Sequence, residues 1–105
     1  MWLGSSLENL RIWSPDVRRE SGYQLSKVQA GLEPSDWKPM PSVGPGVQEI
    51  RIHSENAYRV LYLAKLAEAV YVLHVFEKKT RKTPQADLDV ARRRLKILMN
   101  QRRAK

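Results

Sequence analysis

The sequence predicts a small α+β domain, from a change of period repeated along the chain. Apolar residues recur at helical spacing up to about Leu32 and then alternate or run together as in strands between Val47 and Phe76. After Pro84 they return to a helical stripe. A chain of 105 residues sits near the size of one domain and can bury about two thirds of its unfolded surface. At 42% hydrophobic and 29% charged residues it has the apolar content of a folding chain rather than a disordered one.

Ser5, followed three residues on by Glu8, has the pattern of a capping box opening a short helix that runs to about Ile12. Ser14-Pro15-Asp16 is a second helix start, with a serine cap, a proline where no amide donor is needed and an acid facing the helix dipole. Val17, Ser21, Leu25, Val28 and Leu32 form its apolar stripe, and Gly31 is placed to end it. From Glu33 to Gly46 the four prolines Pro34, Pro39, Pro41 and Pro45, with Gly44 and Gly46, predict a long loop without regular structure. Within it Trp37 either anchors the loop to the core or stacks on a base.

Val47–His53 alternates, with Ile50 and Ile52 on one face and Glu49, Arg51 and His53 on the other. Tyr58–Lys65 and Val70–Phe76 are apolar on both faces, as buried central strands are, and the short connection around Lys65–Glu68 suits a hairpin. Three sequential antiparallel strands are expected. Thr83-Pro84 then repeats the cap-and-proline start, with Asp87 and Asp89 in the first turns. Leu88, Ala91, Leu95 and Leu98 make the buried stripe of a basic C-terminal helix, with Arg92, Arg93, Arg94 and Lys96 around the rest of it. The predicted architecture is N-terminal helices packed on a small, mainly antiparallel sheet, closed by that helix.

Nineteen Lys and Arg against eleven Asp and Glu give a formal charge of +8 and a pI near 10.1. Such an excess self-repels and points to a polyanion, nucleic acid first, then an anionic membrane or an acidic protein. With no cysteine, disulfides and thiolate metal sites are excluded and a reducing compartment fits. The N-terminus has no secretory pattern, and the longest apolar stretch, Val70–Phe76, is interrupted by His74 and too short to span a bilayer. A cytoplasmic protein is expected. His53 and His74 have no metal-ligand spacing around them, and Gly44-Pro45-Gly46 leads into a strand rather than a helix, unlike a phosphate loop. Serine hydrolase and kinase signatures are absent.

What remains is a set of cations on the strands. Arg51 and His53 lie on one, Arg59 on the next, and Lys78, Lys79, Arg81 and Lys82 just past the third, so strand pairing can bring them to one face. A solvated charged face is the plain reading. The sharper one is a site for a phosphodiester, since lone cations among apolar neighbours need a partner. RNA cleavage requires a base for the 2′-OH, an acid for the leaving oxygen and cations for the phosphorane. Histidine is the side-chain type that titrates near neutrality, which makes His53 the base candidate, whereas a lysine needs neighbouring cations to shed its proton. Arg51 and Arg59 suit phosphate clamping through their planar forks. His74, inside a buried-looking strand, reads as a satisfied core histidine.

The segments Trp37-Lys38-Pro39-Met40, Gly44-Pro45-Gly46-Val47-Gln48-Glu49-Ile50-Arg51-Ile52, Tyr58-Arg59-Val60-Leu61-Tyr62 and Phe76-Glu77-Lys78-Lys79-Thr80-Arg81-Lys82-Thr83-Pro84 resemble the RelE/HigB superfamily of type II toxins, in its phage-derived HigB-like branch. The resemblance spans almost the whole chain. It implies a RelE-like microbial RNase toxin fold and a metal-independent endoribonuclease, an mRNA interferase that cuts mRNA in the ribosome without a cofactor. The implied partners are mRNA, ribosomal RNA and a helix-turn-helix antitoxin, with no membrane. The toxin alone would be a monomer that enters a higher-order complex with the antitoxin.

Carried over by position, Arg51, Arg59 and the stretch Lys78–Lys82 match places that bear functional cations in the family; with His53 as base candidate, the catalytic candidates are Arg51, His53, Arg59 and Lys79, and the RNA-binding candidates are Lys38, Lys78, Arg81, Lys82, Arg92, Arg93 and Lys96. The chain departs from the pattern at its start, where only Met1–Leu3 stands for a first strand, and after Thr83, where no distinct acid or tyrosine supplies a general acid. Two other readings stay open: a same-fold toxin acting on a topoisomerase, and a non-catalytic RNA-binding module.

Overall fold

The strand Val47–His53 (β2) organises the molecule because both of its faces are covered. Ile50 and Ile52 turn to one side, where with Val60, Tyr62, Val72 and Val75 they meet Leu10, Val17, Leu25 and Val28 of two N-terminal helices. Val47 turns to the other, joining Leu61, Leu63, Leu73 and Phe76 against Ala91 and Leu98 of the C-terminal helix and Met40 and Val43 of the preceding loop. The computed structural model describes residues 1–104. Its helices are α1 (Ser6–Arg11), α2 (Pro15–Gln29) and α3 (Gln85–Arg103). The other strands are β1 (Trp37–Pro39), β3 (Ala57–Leu63) and β4 (Tyr71–Lys78). The sheet order is β1-β2-β3-β4, every pair antiparallel, and the α+β architecture is consistent with a RelE-like fold.

Helix α2 starts at Pro15 and ends where Gly31 adopts φ +82°. There Leu32 N–H donates to Lys27 C=O (2.8 Å) and Gly31 N–H to Val28 C=O (3.0 Å), the two bonds of a Schellman stop. Leu32 therefore lies beyond the helix and is exposed, not part of the buried stripe; Gln24 is buried in that stripe instead. The capping-box reading at Ser5 is also corrected. Ser5 is the first flanking residue of α1, but its backbone is not in the extended region a serine cap needs, and it makes no capping bond. Its hydroxyl instead accepts from Arg94 (3.0 Å) on α3. At the start of α3 the helix begins one residue later than the cap-and-proline pattern suggests, with Pro84 rather than Thr83 as the flanking residue.

The segment expected to be irregular contains the short strand β1, so the sheet has four strands rather than three. Three residues suffice because β1 is an edge strand: Pro39, opposite Gln48, is at the position where a missing donor is tolerated. Between the pairs Leu61–His74 and Tyr62–Val72, β4 carries one residue more than β3. That bulge lets both Leu73 and His74 face α3, Leu73 in the core and His74 in a 2.7 Å contact with Asp87. At the far edge, Met1–Leu3 lies parallel to β4 through a single bridge between Trp2 and Val72.

Candidate nucleic-acid site

The register of β2, β3 and β4 gathers charge on one end of the α3 face. Arg51 stands directly opposite Arg59, which stands opposite Phe76, and Lys38 on β1 stands opposite Glu49. Like charges directly across a sheet repel. Glu49, completely buried, lies between the two arginines: its Oε1 is 3.4 Å from Arg51 Nε and 3.5 Å from Arg59 Nε. Arg59 Nη1 donates to Tyr58 C=O (3.0 Å), but Arg59 Nε and Glu49 Oε2 are buried without a hydrogen-bond partner. A native interior leaves few such atoms unsatisfied, and their coincidence in one ion cluster marks the place.

The electrostatics follow from this crowding. Burial lowers the pKa of Arg59, against the pull of Glu49, and Arg51 adds to the lowering. The Lys78 ammonium is likewise made more acidic, by burial first and then by Arg59, with Lys38 and Arg51 acting in the same direction and Glu49 against it. Lys78, next but one to Phe76, is thus the member of the basic run that feels the arginine pair. Lys79 follows the end of β4, exposed, with its ammonium 3.9 Å from Glu77. Arg81 and Lys82 are exposed on the β4–α3 connection.

His53, at the exposed end of β2, has Nε2 2.9 Å from Asp36 Oδ2. With Arg51, these two line a depression of about 340 Å³ between β2 and α2, shared with Asp16, Glu20, Gln24 and Ser35. The depression thus sets one imidazole and one guanidinium among the carboxylates of Asp16, Glu20 and Asp36.

The cations of α3 divide. Arg92 donates to Ser42 C=O (2.7 Å) and pairs with Asp89 (3.2 Å), while Arg93 and Lys96 are exposed. Arg94, expected on the outer surface, turns inward instead. Its Nη1 donates to Leu73 C=O (2.9 Å) and its Nη2 to Ser5, so it ties α3 to β4 and to the start of α1. His74 is the satisfied core histidine expected, bonded to Asp87 and stacked on Phe76 with 5.4 Å between centroids. Burial lowers its pKa, with Asp87 opposing.

Glu49 and Asp36 are the site residues that sequence reasoning missed. The alternation did put Glu49 on the face of Arg51, and an acid two residues from an arginine on one strand face was the available signal for a shared cluster. Nothing in the sequence signalled Asp36, because the segment leading into β1 read as irregular. Among the described residues no three His, Asp or Glu side chains come together as a metal site, and no helix is long and apolar enough to cross a membrane.

No curated protein matches the chain. The family model of the phage-derived protein Gp49-like family matches residues 8–96, from the first turn of α1 into the middle of α3, and so takes in every strand of the cation cluster. By that match, over most of its length, the chain belongs to the phage-derived Gp49-like family.

Proposed function

We propose that the chain is the toxin of a type II toxin–antitoxin pair, and that it is an endoribonuclease cutting mRNA on the ribosome in the cytoplasm. Membership of the Gp49-like family, which is of the RelE/HigB toxin type, supports the toxin reading. The observation that carries the chemistry is the opposed pair Arg51 and Arg59, held by buried Glu49 with Lys78 beside it. Cations gathered at that cost are balanced by an anion with several oxygens, such as a phosphodiester.

In this reading His53, oriented by Asp36, accepts the proton of the ribose 2′-OH. The 2′-oxygen bonds to phosphorus as the bond from phosphorus to the 5′-oxygen breaks, and Arg51 and Arg59 stabilise the charge on the non-bridging oxygens. Lys78, its ammonium acidified by its surroundings, gives the 5′-oxygen its proton. The products are a 2′,3′-cyclic phosphate and a 5′-hydroxyl. Glu49, without exposed surface, is a positioning residue for the two arginines. Lys38, Arg81, Lys82, Arg92 and Lys96 extend the basic surface toward ribosomal RNA, and a helix-turn-helix antitoxin is the partner that restrains the toxin.

The test is cleavage of mRNA in a translating extract, with new 5′ ends mapped. Wild type is expected to cut, Arg59→Ala and Lys78→Ala to lose about a hundredfold in rate or more, and Lys79→Ala to stay close to wild type. Lys78 is partly exposed, so its replacement separates chemistry from folding. Broken DNA with intact mRNA would move the assignment to a topoisomerase, and salt-sensitive RNA binding without cutting would reduce it to a binding module.

A further inference from the structure

The two edges of the sheet are finished differently. On the β1 edge, Pro39 denies a donor to any added strand. On the other edge, Leu3 N–H donates to Val72 C=O (3.0 Å) and Val72 N–H to Met1 C=O (2.8 Å), which anchors Met1 and Leu3 to β4. The N–H and C=O of Trp2 between them point the opposite way and make no backbone hydrogen bond among the described residues.

Beside this open edge runs a groove of about 410 Å³ whose apolar walls are Trp2, Leu3, Val90 and Ile97. Trp2 is 37% exposed and Ile97 55%, so two bare apolar side chains share one groove. Arg93 stands on the same wall, exposed and in no ion pair among the described residues, whereas its neighbours Arg92 and Arg94 are engaged within the protein.

We infer that this groove receives an extended acidic segment of a partner protein, which adds a strand along Trp2, seats an apolar side chain between Trp2 and Ile97, and places a carboxylate on Arg93. Strand addition supplies the affinity of the backbone bonds, and the alternating side chains supply the choice of partner. The composition argues against RNA, which is tracked by several cations along its phosphates, where this groove offers one unpaired guanidinium on an apolar floor. It also argues against a second copy of this chain, because two molecules of formal charge +8 repel. The inference concerns a surface outside the proposed cleavage chemistry and stands without it.

The experiment is fluorescence anisotropy of a short labelled peptide alternating Glu with Val and Leu, set against the same peptide with Lys for every Glu. The acidic peptide is expected to bind at least about tenfold more tightly than the basic one, with slowed exchange of the Trp2 amide in the complex. Ile97→Asp, at an exposed position where folding is not at stake, is expected to weaken it about tenfold. Arg93→Glu is expected to reverse the preference between the two peptides. Ile97→Asp should still cut mRNA in the translating extract at the wild-type rate, which separates failure here from failure of the ribonuclease reading. Equal binding of the two peptides, no binding of the acidic one at millimolar concentration, or its displacement by a single-stranded RNA oligonucleotide would overturn the inference.

Discussion

Replacing Glu49 with leucine removes the charge that holds Arg51 and Arg59 together against their repulsion, and the structure sets the size of the loss. Glu49 has no exposed surface and the Arg59 side chain is 8% exposed, so the substitution strands a buried guanidinium. Breaking a buried ion pair from one side costs about 3–5 kcal/mol. Two features place this case at the lower end, about 3 kcal/mol. The contacts, at 3.4 and 3.5 Å, are longer than strong charge-assisted bonds, and the Arg51 side chain, 32% exposed, is free to turn to water. On a domain of this size that is a fall in Tm of about 12–24 °C.

Arg59→Met alone should cost about as much, because it leaves the carboxylate buried with only Arg51. The double variant Glu49→Leu with Arg59→Met replaces ions by apolar groups of similar volume, and is expected to be more stable than either single variant, within about 1 kcal/mol of wild type. Urea unfolding with an unchanged m-value across the four proteins reads the cycle. A Glu49→Leu variant within about 1 kcal/mol of wild type, or additive losses in the double variant, would refute the claim that these side chains form one buried unit.

Gly31→Ala isolates backbone conformation, since an added Cβ meets nothing within 4 Å while φ is +82°. The cost should be about 1–2 kcal/mol in thermal unfolding, from the left-handed conformation alone, and a neutral result would mean the helix stop relaxes without it. His74 gives the acid limb of stability its sign. Burial holds its folded pKa below the ordinary value of 6.5, against the pull of Asp87, so the unfolded chain takes up a proton first as pH falls. Its contribution is full above that ordinary value and is lost as pH drops through the folded one. Stability measured by urea from neutral to acid pH should therefore decline more steeply for wild type than for His74→Gln, and parallel curves would count against a buried neutral imidazole.

The sequence made the regular elements readable where one physical signal dominated. Pro15 and Gly31 bracket α2 because each acts through its own backbone, and Val47–His53 matches β2 because alternation survives whatever packs on it. It misled where the deciding partner lay far along the chain. Ser5 carries a helix-cap signature, yet its hydroxyl is taken by Arg94, eighty-nine residues away in sequence. The proline-rich segment hid β1 because an edge strand is defined by its neighbour, here Gln48–Ile50, rather than by its own composition. Arg51 and Arg59 were recognisable as candidates from their strands. The counter-ion between them was not, because an acid on a polar-looking face reads as solvated until the rest of the fold buries it.

A single row of the sheet explains why that burial occurs where it does. Lys38, Glu49, Leu61 and His74 are cross-strand neighbours on the α3 face. On one side of the row Leu63, Tyr71 and Leu73 pack under α3; on the other stand Arg51, Arg59, Phe76 and Lys78. Glu49 sits on the boundary, completely buried and with the guanidiniums of Arg51 and Arg59 3.4 and 3.5 Å from its Oε1. A fold optimised for stability would place an apolar residue there, since burying ions gains little over packing. In the proposed reading the charged end of the sheet is an anion site, and the apolar side of the sheet, with fully buried Leu61, Leu63 and Leu73, offsets its cost.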